Sequence, residues 1–303
     1  MKGIKISEIK KKRLCLFASA LLVININIFS QWGTDTIFFD ENWQNSTHEN
    51  ASYYRLLDVD TVKILFLVKD YYRTGKLQMD GAYRSINPDI RVGEFNYWYE
   101  NGQKHIQCNF NEDILDGYYR EWYKNGKLKN EKFFKNSLIE GIESDWDENG
   151  LLTKSTMYKN GLKHGSFITY YPNGQLLRKD IYENDKLQKG KCYTASGEDT
   201  TYFSYFIMPK FKNGLESFKK YVQEKLHYPE IARLNDEEGQ VYVRFTVDIN
   251  GNVSRIKLIH EDKDYFNQEA LRVVSSSPEW IPGKRDGKVI DVTITIPILF
   301  RLK

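Results

Sequence analysis

Cysteine, histidine and proline are scarce in this sequence. It has three cysteines, five histidines and seven prolines in 303 residues. The histidines and cysteines fall in no spacing typical of a metal site, and no glycine-rich phosphate loop follows a predicted strand. We therefore expect no metal, no cofactor and no enzyme activity.

A strong charge of either sign is also absent. The formal net charge is +3, but residues 1–30 alone hold six basic side chains and one acidic one. The other 38 basic and 40 acidic side chains nearly balance. Proteins that bind nucleic acid present a basic surface to the phosphates. Nucleic acid is therefore excluded as a partner.

The amino terminus has the pattern of an export signal. The basic stretch "KKKR" precedes an apolar run, residues 14–30. This run has 17 residues, whereas a membrane span needs about 20. Residues 1–30 are therefore either a cleaved signal peptide or a retained inner-membrane anchor, and we expect the protein in the periplasm. The polar, Asn-rich residues 31–57 are interpreted as a linker.

A motif returns every 24 residues within residues 58–199. Each unit contains an Asn-Gly pair, and two aromatic columns follow the same period. The columns are Trp98, Trp122, Trp146 and Tyr170, and Phe110, Phe134, Tyr158 and Tyr182. Asn-Gly favours a two-residue turn with positive φ, so each unit is predicted to be a β-hairpin. Stacked hairpins give an elongated antiparallel sheet, with the aromatic columns in its core or, in an exposed part, free to stack on a ligand.

These units resemble the bacterial MORN-type repeat over about residues 71–190. Such repeats mostly serve as scaffolds or contact surfaces, so the resemblance implies an architecture and no activity. Cys108 and Cys192 are 84 residues apart, or 3.5 units. At about 4.8 Å per strand they lie roughly 30 Å apart, too far for a disulfide.

Residues 204–303 follow a different pattern. An amphipathic helix precedes two alternating runs joined at Asn250-Gly251, and a second helix and a final strand follow. Two helices on one face of a three-stranded antiparallel sheet make an α+β domain. The predicted fold class is thus mainly β, an elongated repeat sheet followed by a small α+β domain.

This last region resembles the C-terminal domain of TonB in the form common among Bacteroidetes-type proteins. The matching segments are "MPKF", "YPEIA", "GQVYVRFTVDINGNV", "EALRVV", "PEWIPGK" and "TITIPILF". The resemblance implies an energy transducer that supports transmembrane transport across the outer membrane. The implied partner is a peptide of a TonB-dependent outer-membrane receptor, added as a strand to the last strand of the domain. An inner-membrane proton-motive complex would be a second partner if the chain is anchored.

The last strand carries an unusual proline. Residues 289–300 read "VIDVTITIPILF", in which apolar side chains alternate with Asp291, Thr293, Thr295 and Pro297. Proline cannot donate a hydrogen bond to a neighbouring strand. A free edge at this strand would tolerate the proline, which either borders a binding edge or only blocks aggregation. By resemblance, the peptide contact is assigned to the residues before it: Val289, Ile290, Asp291, Val292, Thr293, Ile294 and Thr295.

Two functions remain open at this stage. The first is a TonB-type transducer that pulls on an outer-membrane transporter. Members of that family usually have a proline-rich spacer, but no proline occurs between residues 31 and 87. The second is a released periplasmic interaction or scaffold protein without energy transduction.

Overall fold

The computed structural model describes residues 35–302. The predicted signal peptide or anchor, residues 1–30, lies outside this range. The boundary between two compact units falls between Thr201 and Tyr202, close to the expected change from repeats to the α+β domain. No helix within residues 35–302 is both long enough and apolar enough to cross a membrane.

The first unit is one antiparallel sheet of 15 strands. Strand order follows the chain, so each strand pairs with the next, except that β7 pairs only with β6 and β8 takes its place in the order. The strands are β1 (Asp35–Phe39), β2 (Tyr53–Asp60), β3 (Leu65–Tyr72), β4 (Leu77–Ile86), β5 (Asp89–Trp98), β6 (Lys104–Asn111), β7 (Ile114–Leu115), β8 (Gly117–Trp122), β9 (Leu128–Lys135), β10 (Leu138–Trp146), β11 (Leu152–Lys159), β12 (Leu162–Tyr170), β13 (Leu176–Glu183), β14 (Lys186–Tyr193) and β15 (Asp199–Thr200). The predicted sheet of stacked hairpins is confirmed.

Part of the segment interpreted as a linker, residues 31–57, belongs to this sheet. β1 pairs with β2 in a continuous register from Asp35↔Leu57 to Phe39↔Tyr53. Phe39 is buried, and the Arg55 guanidinium lies 5.5 Å from its ring. The polar composition of this segment reflects the turn between the two strands, so composition alone concealed a pair of strands.

A glycine and an aromatic residue face each other across each repeat. The pairs are Gly93↔Phe110, Gly117↔Phe134, Gly141↔Tyr158 and Gly165↔Tyr182. All four glycines have positive φ, which a residue with a Cβ adopts only at a cost in strain. Each aromatic residue of the second column is thus paired with a glycine, and Phe110 is buried whereas its equivalents are half-buried.

The Asn-Gly turns differ from the two-residue turns that the sequence predicts. At Asn101-Gly102 only the glycine has positive φ, and its N–H donates to the Tyr99 carbonyl at 2.8 Å. Asn101 instead accepts the Gln103 N–H through Oδ1 (3.0 Å). This makes a longer hairpin loop with one left-handed residue. Pairs of residues with positive φ occur at the opposite end of the units, as at Asn160-Gly161.

Tyrosine hydroxyls join one repeat to the following one at four places, whereas Asp147 occupies the equivalent position of another unit. The hydroxyl of Tyr99 donates to the Trp122 carbonyl (2.9 Å), and that of Tyr123 donates to the Trp146 carbonyl (2.9 Å). Tyr72 and Tyr171 make the same kind of bond. These bonds satisfy carbonyl groups at the strand ends, and each connects only neighbouring units.

Cys108 and Cys192 are buried in the sheet, and neither forms a disulfide within the described residues. They lie on different strands, β6 and β14, as the spacing of the repeats requires. Burial raises the pKa of the Cys108 thiol to about 11, so the reactive thiolate is scarce at neutral pH. The prediction that Cys108 and Cys192 do not form a disulfide is confirmed.

Gly81 provides a test of packing in the apolar part of this sheet. A Cβ at this position would lie 2.4 Å from Cδ1 of Phe95, a fully buried ring. We therefore expect Gly81→Ala to lower the free energy of unfolding by about 1–3 kcal/mol, since the ring has no room to move. Denaturant unfolding would measure the loss.

The same substitution in a Phe95→Leu background is the control. The smaller leucine side chain leaves space for the added methyl, so Gly81→Ala should then cost clearly less. An equal cost in both backgrounds would show that the clash with Phe95 is not the cause.

The second unit is a small α+β domain, as predicted. It contains α1 (Leu215–Lys225), α2 (Glu230–Leu234), α3 (Asp264–Ser275), β16 (Phe206–Ile207), β17 (Lys210–Phe211), β18 (Gly239–Val247), β19 (Val253–His260), β20 (Trp280–Ile281), β21 (Gly283–Arg285), β22 (Lys288–Ile290) and β23 (Val292–Phe300). The main sheet has the order β19-β18-β23, and two smaller sheets pair β17 with β20 and join β16, β21 and β22. α3 packs on the main sheet through Phe266, Ala270 and Val274, all buried.

Candidate functional site: the edge strand and its groove

β23 lies at the edge of the main sheet. It pairs with β18 over nine residues, from Val247↔Val292 to Gly239↔Phe300. Within the described part of the chain, no other strand pairs with β23. The alternation predicted for the strand is present, since Val292, Ile298 and Phe300 are buried against the core. One side of its backbone is therefore open.

Pro297 determines which backbone groups point to the open side. The register places it opposite Tyr242. Because proline has no N–H, this pair is of the type without hydrogen bonds between the partners. The type alternates along an antiparallel pair, so Thr293, Thr295 and Leu299 share it. The N–H groups of these three residues therefore point away from β18, toward the open edge.

The two threonines also contact β18 through their side chains. The hydroxyls of Thr293 and Thr246 lie 2.9 Å apart, and Nε of Arg244 donates to Thr295 Oγ1 at 3.2 Å. These contacts hold the strand on its paired side, while the backbone on the other side stays available.

The structure divides the seven residues predicted to contact a peptide. Val292, Thr293, Ile294 and Thr295 lie on β23. Val289 and Ile290 lie on β22, where they pair with Lys284 and Gly283 of β21. Asp291 separates the two strands, and its carboxylate accepts the Ile249 N–H (3.2 Å).

The single strand predicted over residues 289–300 is therefore wrong at its beginning. The turn at Asp286-Gly287, with positive φ at both residues, folds residues 288–290 back onto residues 283–285. The alternation of side chains continues across Asp291, so the pattern of the sequence cannot reveal this change of partner.

A groove of about 1480 Å³ lies along the second half of β23. The strand contributes residues 294–297 and Leu299, and the facing wall is formed by Phe218 and Val222 of α1 and by Leu226 directly after it. The aromatic residues Phe211 and Trp280 line it as well. An open strand edge thus faces an apolar wall across a space large enough for an extended peptide.

Aromatic packing fixes the wall of this groove. The ring of Phe211 lies 5.3 Å from that of Phe218 and 5.4 Å from that of Trp280, in edge-to-face contacts. The backbone N–H of Trp280 donates to the carbonyl of Gly251 (2.8 Å), in the turn between β18 and β19. The groove is thereby attached to the same hairpin that aligns β23.

Tyr228 lines the groove near Phe300, at the end of β23. Its ring packs against Phe266 and Phe300, and its hydroxyl donates to the Glu237 carbonyl at 2.6 Å. Desolvation, followed by the nearby charge of Glu238, raises the pKa of this hydroxyl, so it remains a donor at neutral pH. Tyr228 thus connects the end of β23 to the segment that precedes β18.

No group of three histidine, cysteine, aspartate or glutamate side chains in residues 35–302 is arranged to hold a metal ion. The five histidines were not expected to form such a group from their spacing.

Sequence reasoning missed the groove and the role of Leu299. The three-four spacing of α1 predicted an apolar face, but this spacing does not distinguish a face in the core from one that lines a groove. The sequence predicts that the contact ends before Pro297. Its position opposite Tyr242 places the Leu299 N–H on the open side as well, which only the register reveals.

Comparisons with known families divide the chain as the structure does. Residues 224–302 match the family model described as Gram-negative bacterial TonB protein C-terminal. Residues 91–112, 115–136 and 163–189 match the model described as MORN repeat variant. The edge strand β23 and the wall residue Leu226 both fall within the first match.

Curated relatives and a solved structure are also similar to part of the chain. The chain is 31% identical over 83 residues to Protein TonB of Helicobacter pylori strain ATCC 700392 / 26695, and equally to that of strain J99. These matches cover 27% of this chain and 28% of the relatives, so the chain spans less than a third of their length. The NMR solution structure of the Helicobacter pylori TonB-CTD is 27% identical, with a TM-score of 0.24 over 29% of this chain and 79% of that one.

Proposed function

Because residues 224–302 form a TonB-type C-terminal domain, we propose that this unit binds a short extended segment of a TonB-dependent outer-membrane receptor. The segment would join the main sheet as a fourth strand beside β23. The protein would thereby support transport across the outer membrane in a TonB-like role. This function requires that the domain recognises a receptor segment and transmits force to it, and it requires no catalysis.

The observation that supports the proposal most strongly is the open edge of β23. Its outward N–H groups, at Thr293, Thr295 and Leu299, alternate with outward carbonyls, as a partner strand needs. Each backbone hydrogen bond contributes about 0.5–1.5 kcal/mol net. Three or four such bonds beside an apolar groove would give a weak, reversible complex, which suits a receptor that must be released after each cycle.

We place the protein in the periplasm, either anchored to the inner membrane through residues 14–30 or released. In the anchored form an inner-membrane proton-motive complex would be the second partner. Fractionation of the cell envelope, with mass spectrometry of the mature amino terminus, distinguishes the two. A mature chain that starts near Gln31 would favour a released interaction protein without energy transduction.

Thr295→Pro tests strand addition, with Thr295→Val as its matched control. Both variants lose the hydroxyl that accepts from Arg244, but only proline loses the outward N–H. Since that N–H makes no bond to β18, both variants should fold. We expect Thr295→Pro to weaken capture of a TonB-dependent receptor from a detergent extract of outer membranes about five- to tenfold relative to Thr295→Val. Quantitative mass spectrometry of the captured receptor would measure the difference.

Two results would contradict the proposal. One is equal capture of the receptor by the proline and valine variants. The other concerns hydrogen exchange of the wild-type protein in the presence of the captured receptor. The amide hydrogens of Thr293, Thr295 and Leu299 should then exchange more slowly, and unchanged exchange at all three would exclude a new strand at this edge.

A further inference from the structure

The groove beside β23 has a strongly biased charge. Of the residues that line it, four are basic and none is acidic. The basic residues are Lys210, Lys219, Arg233 and Arg301. The chain as a whole is nearly neutral, so this imbalance is a property of the groove.

Most of these basic side chains form no ion pair with another described residue. Lys219 pairs with Glu216 at 2.7 Å on the exposed surface of α1. In residues 35–302, no ion pair within 4.0 Å involves Lys210, Arg233 or Arg301. The nearby carboxylate of Glu238 accepts the Leu302 N–H and does not line the groove. A negatively charged occupant would therefore find guanidinium groups that have no carboxylate partner of their own.

The arginines and the aromatic rings lie at opposite ends of the groove, which sets the order in which a bound peptide would present its charged and apolar side chains. Arg301 follows β23 directly, and Arg233 lies on α2, next to the Tyr228 end of the groove. Phe211 and Trp280 lie toward the opposite end, because Trp280 binds the turn that precedes β19. From Ile294 to Arg301 an extended chain covers about 24 Å, or seven residues at about 3.4 Å each.

We propose that the groove selects an extended segment with carboxylates at one end and a large apolar side chain about five to seven residues away. The carboxylates would bind Arg233 and Arg301, and the apolar side chain would contact the rings of Phe211 and Trp280. This inference rests on the proposed strand addition, and it adds the side-chain chemistry that distinguishes one receptor segment from another. Arginine suits the role because its fork of N–H donors matches a carboxylate.

Two synthetic probes test this selection on the full chain. Each is a ten-residue peptide of alternating threonine and valine with one phenylalanine near an end. The acidic probe has two aspartates at the other end, the basic probe has two lysines, and each is made in both sequence directions. We expect the acidic probe, in one direction, to bind at least tenfold more tightly than the basic probe by isothermal titration at low salt. Its affinity should fall as salt rises, since exposed charges are screened.

Charge reversal in the protein gives the sharper result. With Arg233→Glu and Arg301→Glu together, the preference should invert, so that the basic probe binds more tightly. Lys220→Glu with Lys257→Glu is the matched control. It reverses two charges of the same unit that do not line the groove, and the preference for the acidic probe should remain.

The outcomes separate this inference from strand addition. Equal affinity for both probes, with binding still weakened by Thr295→Pro, would overturn the charge selection and leave strand addition intact. A preference that both pairs of reversals invert would assign the effect to overall charge and overturn the role of Arg233 and Arg301. Failure of the acidic probe to bind wild-type protein at millimolar concentration would overturn the inference as well.

Discussion

Replacing Asp70 with alanine is expected to lower the free energy of unfolding of the repeat unit by about 3–5 kcal/mol. The Asp70 carboxylate accepts two bonds from Arg55, at 2.6 Å from Nε and 2.7 Å from Nη2. Both residues are buried, at 1% and 7% exposure. Without the carboxylate, the guanidinium would remain in the interior without the hydrogen-bonded partner that compensates its burial. Hydrogen exchange measured by mass spectrometry would locate the loss in β2 and β3.

Two further variants show whether burial is the reason. Arg55→Met with Asp70→Leu replaces the pair by apolar side chains of similar volume and should recover most of the stability. Arg84→Ala breaks the exposed pair with Glu112 and should cost less than about 1 kcal/mol, because water already solvates both charges. If Arg84→Ala and Asp70→Ala cost the same, burial of the Arg55–Asp70 pair does not determine its contribution.

Phe266→Ala is expected to destabilise the C-terminal unit by about 3–5 kcal/mol. The side chain is fully buried on α3, and its ring lies 4.4 Å from that of Phe300 at the end of β23. It also packs on Gly239, where a Cβ would lie 2.6 Å from its Cδ2. The cavity left by the ring would loosen the end of the edge strand, so amide exchange in β23 should accelerate with the loss of stability.

Phe206→Ala is the matched control for this prediction. It removes the same ring from the same unit, but Phe206 is 39% exposed. We expect a loss below about 1 kcal/mol, since little apolar surface leaves the core. A comparable loss for Phe206→Ala and Phe266→Ala in chemical denaturation would mean that the core around α3 is not what stabilises this unit.

The repeat unit was largely predictable from the sequence. A period of 24 residues and alternating side chains determine both the hairpins and the face on which the aromatic residues lie. The conformation of each turn was not predictable in this way. Asn101 has a negative φ because its side chain accepts the Gln103 N–H, a local bond that competes with the left-handed conformation.

The candidate site was predictable only in part. Alternation and Pro297 together indicated an open edge, and the strand order confirms that β23 lies at one. The change of partner at Asp291 could not be predicted, because β22 and β23 share one alternating pattern. The groove was equally hidden, since it depends on how α1 lies beside the strand.

The tyrosine bonds between repeats have a consequence for the evolution of this molecule. Tyr99 contacts the carbonyl 23 residues ahead, and Tyr123 does the same one unit later. Duplicating or deleting one complete unit would give each hydroxyl an equivalent acceptor, whereas any other insertion would shift the aromatic columns out of line. The length of the amino-terminal sheet can therefore change in steps of two strands, about 10 Å each, while the side-chain packing within each unit stays the same.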